Sequence, residues 1–361
     1  MMVGLWLKFI IAAAIVVFSG YRLCIYAEKI AQITKIDRTF IGLILLAVVT
    51  SLPELAVAIS ATKIGALDLA VGDLFGSNLF NLTIVGIIWL VFMKRPKLLS
   101  FESTHFMSAG ISILLIALAA MGIVFYNLVS AGAGYSNFLV DVESALILVI
   151  YIVGVYLVFY SEKGKVTQYA AKPGGRSPSL KLRGTALRSL GEGGRGQSAR
   201  AWSKFLLYSI ILVGSAIYLS GLGDRIARIP VGGVALGGTF VGSLFVAVTT
   251  SLPEMAVALS AVKLGFIDMA LGDIFGSNMF NMAIISIADL CLGRRIILSA
   301  ISGEHLFTVL FVLISTALVL ASLVYRSKRK APALAWDSVS ILFVFVLANL
   351  VNYFLRYLKV Q

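Results

Sequence analysis

Residues 39–84 of this chain return as residues 239–284 without a gap, at a constant offset of 200. Of these 46 positions, 28 are identical. Shared hydrophobicity cannot account for the polar ones. Thr50-Ser51-Leu52-Pro53-Glu54 returns as Thr250-Ser251-Leu252-Pro253-Glu254; Gly72-Asp73, Gly76-Ser77-Asn78 and Asn81 return as Gly272-Asp273, Gly276-Ser277-Asn278 and Asn281. A repeat of this quality obliges the fold to hold two related units.

Both copies are embedded in apolar sequence. The chain of 361 residues is 60% hydrophobic and 13% charged, about half the charge of a soluble domain, so lipid is the solvent for most of it. A helix of about 20 apolar residues spans a bilayer. Ten stretches qualify, near 5–25, 39–63, 67–93, 104–126, 138–160, 203–222, 236–262, 266–292, 304–325 and 334–356. Their apolar residues run all round the helix, and the alternation of a barrel strand is missing. The predicted fold class is all-α integral membrane, with ten transmembrane helices.

Five spans separate the two copies, and an odd number inverts the second relative to the membrane. The chain therefore reads as two inverted five-helix repeats. Residues 1–160 form the first, with its repeated region at 39–93; residues 203–361 form the second, with 239–293; residues 161–202 link them. Inverted repeats place a binding site at their interface near the midplane.

The formal charge of +13 does not point to nucleic acid. With the linker on the cytoplasmic side, about 22 of the 30 Lys and Arg fall in cytoplasmic loops, as the positive-inside rule requires. The expected location is the cell membrane, with both termini outside. The linker, rich in Gly, Ser, Arg and Lys and carrying Pro173 and Pro178, is expected to be disordered or to lie on anionic headgroups. The N-terminal apolar run continues into Arg22 without a cleavage site and reads as an uncleaved first span. Cys24 and Cys291 are expected to pack as small apolar residues, and His105 and His305, again 200 apart, to sit as polar tips at headgroup level.

Charged groups inside spans mark function by default. Glu54 and Glu254 fall mid-span, each directly after a proline, which lacks an N–H and opens the helix one turn back, near Val49 and Thr249. Freed carbonyls in lipid need a partner, and a cation can serve. Ala47, Thr50, Ser51 and Glu54 share one helical stripe, repeated by Ala247, Thr250, Ser251 and Glu254. A second stripe carries Asp73, Ser77 and Asn81, repeated by Asp273, Ser277 and Asn281. Every candidate ligand is oxygen, which selects hard cations such as Ca²⁺ or Na⁺ over zinc or copper. Gly72 and Gly76 allow close approach of a neighbouring helix.

These residues resemble the calcium/cation antiporter superfamily, sodium/calcium exchanger type. Its two alpha repeats carry Thr-Ser-x-Pro-Glu followed by Gly-Ser-Asn-x-x-Asn/Asp, matched here by Thr50 to Glu54 with Gly76 to Asn81, and by Thr250 to Glu254 with Gly276 to Asn281. The resemblance implies that Glu54 and Glu254 bind Ca²⁺ with the carbonyls of Thr50 and Thr250. It implies Na⁺ sites at Ala47, Thr50 and Ser77 on one side and Ala247, Thr250 and Ser277 on the other. Asn81 and Asn281 would complete the centre. It also implies antiport by alternating access, the first and sixth spans sliding across the other eight. Ca²⁺ and Na⁺ are then transported partners; no cofactor, nucleic acid or obligate protein partner is expected.

Three positions depart from that family's pattern. Val49 and Thr249 replace its usual Gly, Asn81 and Asn281 are both amides where many relatives have one Asp, and Asp73 and Asp273 replace Asn. The last two are expected to be proton- or sodium-linked groups beside the peripheral Na⁺ sites. Their extra carboxylates leave open a proton-coupled exchanger of Ca²⁺ or another divalent ion. A remote alternative is an intramembrane aspartyl protease built on Asp73 and Asp273, but Ala70 and Ala270 stand where its Gly-x-Gly-Asp motif requires glycine. No enzyme activity is expected.

Overall fold

The computed structural model describes residues 2–92, 103–129, 138–171, 194–231, 234–235, 245, 248–292, 297–328 and 336–360. In chain order the helices are α1 (Met2–Thr34), α2 (Arg38–Ile41), a π-helical turn (Gly42–Leu46), α3 (Ala47–Thr50), α4 (Leu52–Lys63), α5 (Leu67–Phe92), α6 (Ser103–Val129), α7 (Phe138–Ala171), α8 (Gly194–Ala227), α9 (Leu252–Lys263), α10 (Ile267–Leu292), α11 (Ile297–Ala300), α12 (His305–Lys328) and α13 (Trp336–Val360). Strands β1 (Pro230–Val231) and β2 (Val234–Ala235) form one short antiparallel pair.

Among the described residues, eight of these helices are long and apolar enough to cross a membrane: α1, α5, α6, α7, α8, α10, α12 and α13. Counted as one span, the pair Arg38–Thr50 and Leu52–Lys63, bent by 42° at Ser51, makes a ninth. Of the span expected at 236–262, most of the first half lies outside the described residues, and α9 is its second half. Two helices outrun their expected ends: α7 continues to Ala171 and α8 starts at Gly194. Apolar run length marks only the lipid-embedded part of a helix. Good helix formers such as Glu162, Lys163, Lys165 and Gln168 extend it beyond the lipid. The middle of the linker, residues 172–193, lies outside the described residues.

The two helices of the repeated motif make the core. Of their apolar stretches, 78% of α5 and 89% of α10 is buried inside the protein, against 17% for α1 and α7, whose apolar surface is left for lipid. α1 and α8 lie side by side, joined by Arg22 Nε donating to the Tyr208 hydroxyl at 3.1 Å and by stacking of Tyr26 on Tyr208, centroids 5.6 Å apart.

The turn between each pair of repeat helices is the same in both copies. Gly65 and Gly265 take φ of 77° and 84°, the left-handed region that glycine enters without strain. Ala66 N–H then reaches Ala61 O at 2.9 Å, and Phe266 N–H reaches Ala261 O at 2.8 Å, the bond that closes a Schellman end. The acid just beyond each turn is tied to the other copy. The His105 ring donates from Nε2 to Asp268 Oδ1, and His305 donates from Nε2 to Asp68 Oδ1, each at 3.0 Å. The histidines are thus inter-repeat ties, a role beyond the polar tips expected from sequence. Their partners belong to a different copy, so neighbouring residues gave no sign of them.

The two ties differ in burial: the His105 side chain is 0% exposed and that of His305 15%. His105→Ala strands Asp268 beside a cavity and is expected to cost about 1–3 kcal/mol. His305→Ala should cost clearly less. Melting curves of the purified variants check this, and equal shifts would contradict it.

Candidate cation chamber

The chamber begins with an interrupted helix. Ser51 N–H donates to Ala47 O at 3.1 Å, and the ladder resumes where Leu55 N–H donates to Ser51 O at 3.1 Å. Between them Val49 O faces Pro53, which has no N–H to give. In the second copy Met255 N–H donates to Ser251 O at 3.2 Å, and Thr249 O faces Pro253. Both glutamates follow immediately and both are buried, each 1% exposed. Thr249, in the place of the family's glycine, spends its hydroxyl on Phe245 O at 2.8 Å. Its methyl is accommodated by Gly223 of α8, where a Cβ would stand 2.7 Å from Thr249 Cγ2.

Glycine sets how α10 meets this broken helix. A Cβ on Gly272 would run into Thr39 O, and one on Gly276 would meet Leu43 O and stand 2.7 Å from Ala47 Cβ. Across the contact, a Cβ on Gly42 would run into Met269 O and stand 2.9 Å from Asp273 N. The two backbones therefore lie against each other, and the π-helical turn Gly42–Leu46 is the segment that does so. This approach presses Asp273 and Ser277 onto Thr50. Thr50 Oγ1 lies 3.4 Å from Asp273 Oδ1 and 3.2 Å from Ser277 Oγ, with Leu46 O at 3.1 Å and Ala47 O at 3.3 Å. The structure pairs Thr50 with the serine of the opposite copy, where the resemblance grouped it with Ser77.

Ser77 instead donates to Glu54 Oε1 at 3.4 Å and receives the Ser251 hydroxyl at 3.4 Å. Ser77 thus stands between Glu54 and Ser251 of the second broken helix. At the centre the asparagines cross between copies with near two-fold symmetry. Asn81 Nδ2 donates to Asn278 Oδ1 at 3.0 Å and Asn281 Nδ2 to Asn78 Oδ1 at 2.9 Å. Asn78 Nδ2 and Asn278 Nδ2 each donate to the other's backbone carbonyl at 3.3 Å. Asn78 and Asn278, marked by the Gly-Ser-Asn repetition, belong to the site although they are not among the ligand candidates of the sequence. They hold the amides of Asn81 and Asn281 by their nitrogens, which turns both amide oxygens free.

What remains is a surplus of buried acceptors. Glu54 Oε2, both carboxylate oxygens of Glu254, Asp273 Oδ2, Asn81 Oδ1, Asn281 Oδ1 and the Ser51 hydroxyl have no hydrogen-bond partner. Buried acceptors without donors are unfavourable by several kcal/mol in a dry interior, and a hard cation is the species that satisfies many oxygens at once. No group of three or more His, Cys, Asp or Glu side chains that could hold a metal occurs among the described residues. A cation here would thus depend on hydroxyl, amide and carbonyl oxygens as well as carboxylates. Of the remaining candidates, Thr250 closes the described turn before Ser251, and Ala247 lies outside the described residues.

A bundle of membrane-crossing helices around an oxygen-rich, donor-poor chamber, with oxygens from two copies of one motif, defines a membrane protein whose core offers acceptors suited to cations. A family model described as Sodium/calcium exchanger protein matches residues 4–160 and 201–354, and the chain belongs to that family of cation antiporters. Its curated relatives include Inner membrane protein YrbG of Escherichia coli (strain K12), 26% identical over 280 residues, covering 76% of each chain. The Sodium/calcium exchanger MaX1 of Methanosarcina acetivorans is 47% identical over 47 residues, or 13% of each chain. Among solved structures, the sodium-calcium exchanger NCX_Mj soaked with 2.5 mM Na⁺ and 1 mM Sr²⁺ superposes with a TM-score of 0.67 at 17% identity, over 96% of this chain and 98% of that one. That likeness is one of fold.

Proposed function

We propose that this protein exchanges Na⁺ for Ca²⁺ across the cell membrane by alternating access, through ten spans arranged as two inverted five-helix repeats (1–160 and 203–361). The observation that carries the reading is the pair of buried glutamates, Glu54 and Glu254, one after each broken turn, set among oxygens that lack donors. Two carboxylates supply the charge that offsets one divalent ion. The freed carbonyls beside Pro53 and Pro253 supply neutral ligands, as do Asn81, Asn281, Ser77 and Ser251. Monovalent ions would occupy the oxygens flanking the pair, at Ala47, Thr50 and Ser277 and their counterparts in the other copy. The name of the MaX1 relative supports the choice of ions. The pairing of α1 with α8, one helix from each half, supports their moving together across the rest of the bundle.

Uptake of radiolabelled Ca²⁺ into proteoliposomes under an imposed Na⁺ or pH gradient tests this. An outward Na⁺ gradient is expected to drive accumulation. Accumulation driven by the pH gradient alone would replace the reading with proton-coupled exchange, which the additional carboxylates Asp73 and Asp273 would then serve.

The linker carries no acidic cluster with which to sense Ca²⁺. Replacing residues 172–193 with a Gly/Ser segment, which leaves α7 and α8 intact, is expected to preserve Na⁺-driven Ca²⁺ flux. Loss of flux in a variant that inserts and purifies normally would contradict this.

A further inference from the structure

We infer that one end of the seam between α1 and α8 is a binding site for an anionic phospholipid, whose phosphate is held by Arg22, Tyr208, Lys29 and Lys204. The inference does not depend on which ions the protein carries.

Arg22 is framed by aromatic rings. Its guanidinium carbon stands 5.4 Å from the centroid of Tyr208, 5.9 Å from that of Tyr26 and 6.0 Å from that of Phe18. Such rings orient a guanidinium and attract its charge without neutralising it. Arg22 Nε donates to the Tyr208 hydroxyl at 3.1 Å, and its Nη groups meet no acceptor among the described residues. Because Tyr208 accepts that bond, its own O–H proton is left to donate. Lys29 Nζ lies 4.9 Å from the centroid of Tyr26, which stacks on Tyr208. Lys204 shares a face of α8 with Tyr208, one helical turn away. The acids of α1 and α8 do not answer these three cations. Glu28 is held by Arg38 and Gln32, and Asp224 by Arg228.

The surroundings are those of the headgroup boundary. On the stripe of α1 that carries Arg22, exposed Ile11, Ile15 and Phe18 precede it, and Tyr26 and Lys29 follow. Acyl chain, phosphate and outer headgroup of a lipid succeed one another in that same order. Trp202, exposed on α8 less than two turns from Tyr208, is a residue type that settles at this depth. An arginine facing lipid without a carboxylate is costly, and a headgroup phosphate is the anion within reach. The guanidinium fork matches two phosphate oxygens at once. Charge then selects among lipids. A zwitterionic lipid brings its own ammonium toward Lys29 and Lys204, so the lysines favour a headgroup of net negative charge. A free phosphate would gain nothing from the apolar stripe.

The experiment is titration of the purified full chain in detergent with phosphatidylglycerol, bound lipid being counted by native mass spectrometry, against phosphatidylcholine with the same acyl chains. One phosphatidylglycerol per chain is expected to bind more tightly than phosphatidylcholine by on the order of tenfold. Arg22→Gln should weaken it on the order of tenfold or more, through loss of charged hydrogen bonds. Lys29→Gln and Lys204→Gln should each weaken it about fivefold. Both lysines are exposed, so these variants keep the test informative if Arg22→Gln misfolds. Lys8→Gln, the same change of charge near the far end of α1, should leave the affinity unchanged. Inorganic phosphate at the same concentration should not displace the lipid. Equal affinity for the two lipids, unchanged binding in a folded Arg22→Gln chain or in both lysine variants, an equal loss in Lys8→Gln, or displacement by inorganic phosphate would overturn the inference.

Discussion

Glu54→Gln and Glu254→Gln are each expected to abolish Ca²⁺ transport while leaving a folded, monodisperse protein. Either substitution keeps the size and shape of the side chain and removes one of the two charges that offset a divalent ion. A buried charge whose counter-charge is removed is destabilised by about 3–5 kcal/mol, a loss of affinity on the order of a hundredfold or more. Folding should not suffer. Glu54 Oε2 and both oxygens of Glu254 lack partners, so the ion-free protein stands to gain from neutralising either carboxylate. The combination is diagnostic: Ca²⁺ uptake vanishes and thermal stability without Ca²⁺ is unchanged or higher. Normal uptake by either variant would remove the glutamates from the site.

Gly276→Val is the second large effect. Its Cβ would occupy space already filled by Leu43 O and would stand 2.7 Å from Ala47 Cβ and from Leu43 Cα. Two of these obstacles are backbone atoms, which cannot swing away as a side-chain tip can. Overpacking of this kind costs about 1–3 kcal/mol even where side chains can adjust, so a larger loss is expected here. Because α10 carries Asp273 and Ser277 against Thr50, the variant should lose Ca²⁺ binding as well as stability. Gly110→Ala on α6, where nothing lies within 4 Å of the added Cβ, is the matched control and should be near neutral. Melting temperature and Ca²⁺ binding of the two variants together check this. A Gly276→Val protein as stable as wild type would show that α10 does not touch the broken helix so closely.

The chain announced much of this in its own pattern. A period of 200 with polar identity located the working segments, and run length located the helices because lipid imposes a minimum length. Proline before glutamate predicts a helix opened near Val49, since the missing N–H is a property of the residue itself, and the structure breaks it two residues on, at Ser51. The remainder depended on contacts between copies. Thr50 and Ser277 meet because Gly42, Gly272 and Gly276 let two backbones touch, and spacing along one helix carries no information about the partner across that contact. The histidines illustrate the same point: their offset of 200 was visible, but their partners Asp268 and Asp68 stand more than 160 residues away. Asn78 and Asn278 turn toward each other and hold Asn81 and Asn281, again through contacts between copies. The π-helical turn at Gly42–Leu46 was not legible, because one extra residue in a turn barely changes an apolar pattern that already runs round the whole helix.

Two copies of one motif are expected to build a single divalent site. This is tested most directly by counting Ca²⁺ bound at saturation per chain of purified protein in the wild type and in each single glutamine variant. One high-affinity Ca²⁺ per wild-type chain is expected, and none in either Glu54→Gln or Glu254→Gln. Two per wild-type chain, with one remaining in each variant, would mean that each copy binds an ion alone, and would contradict the account.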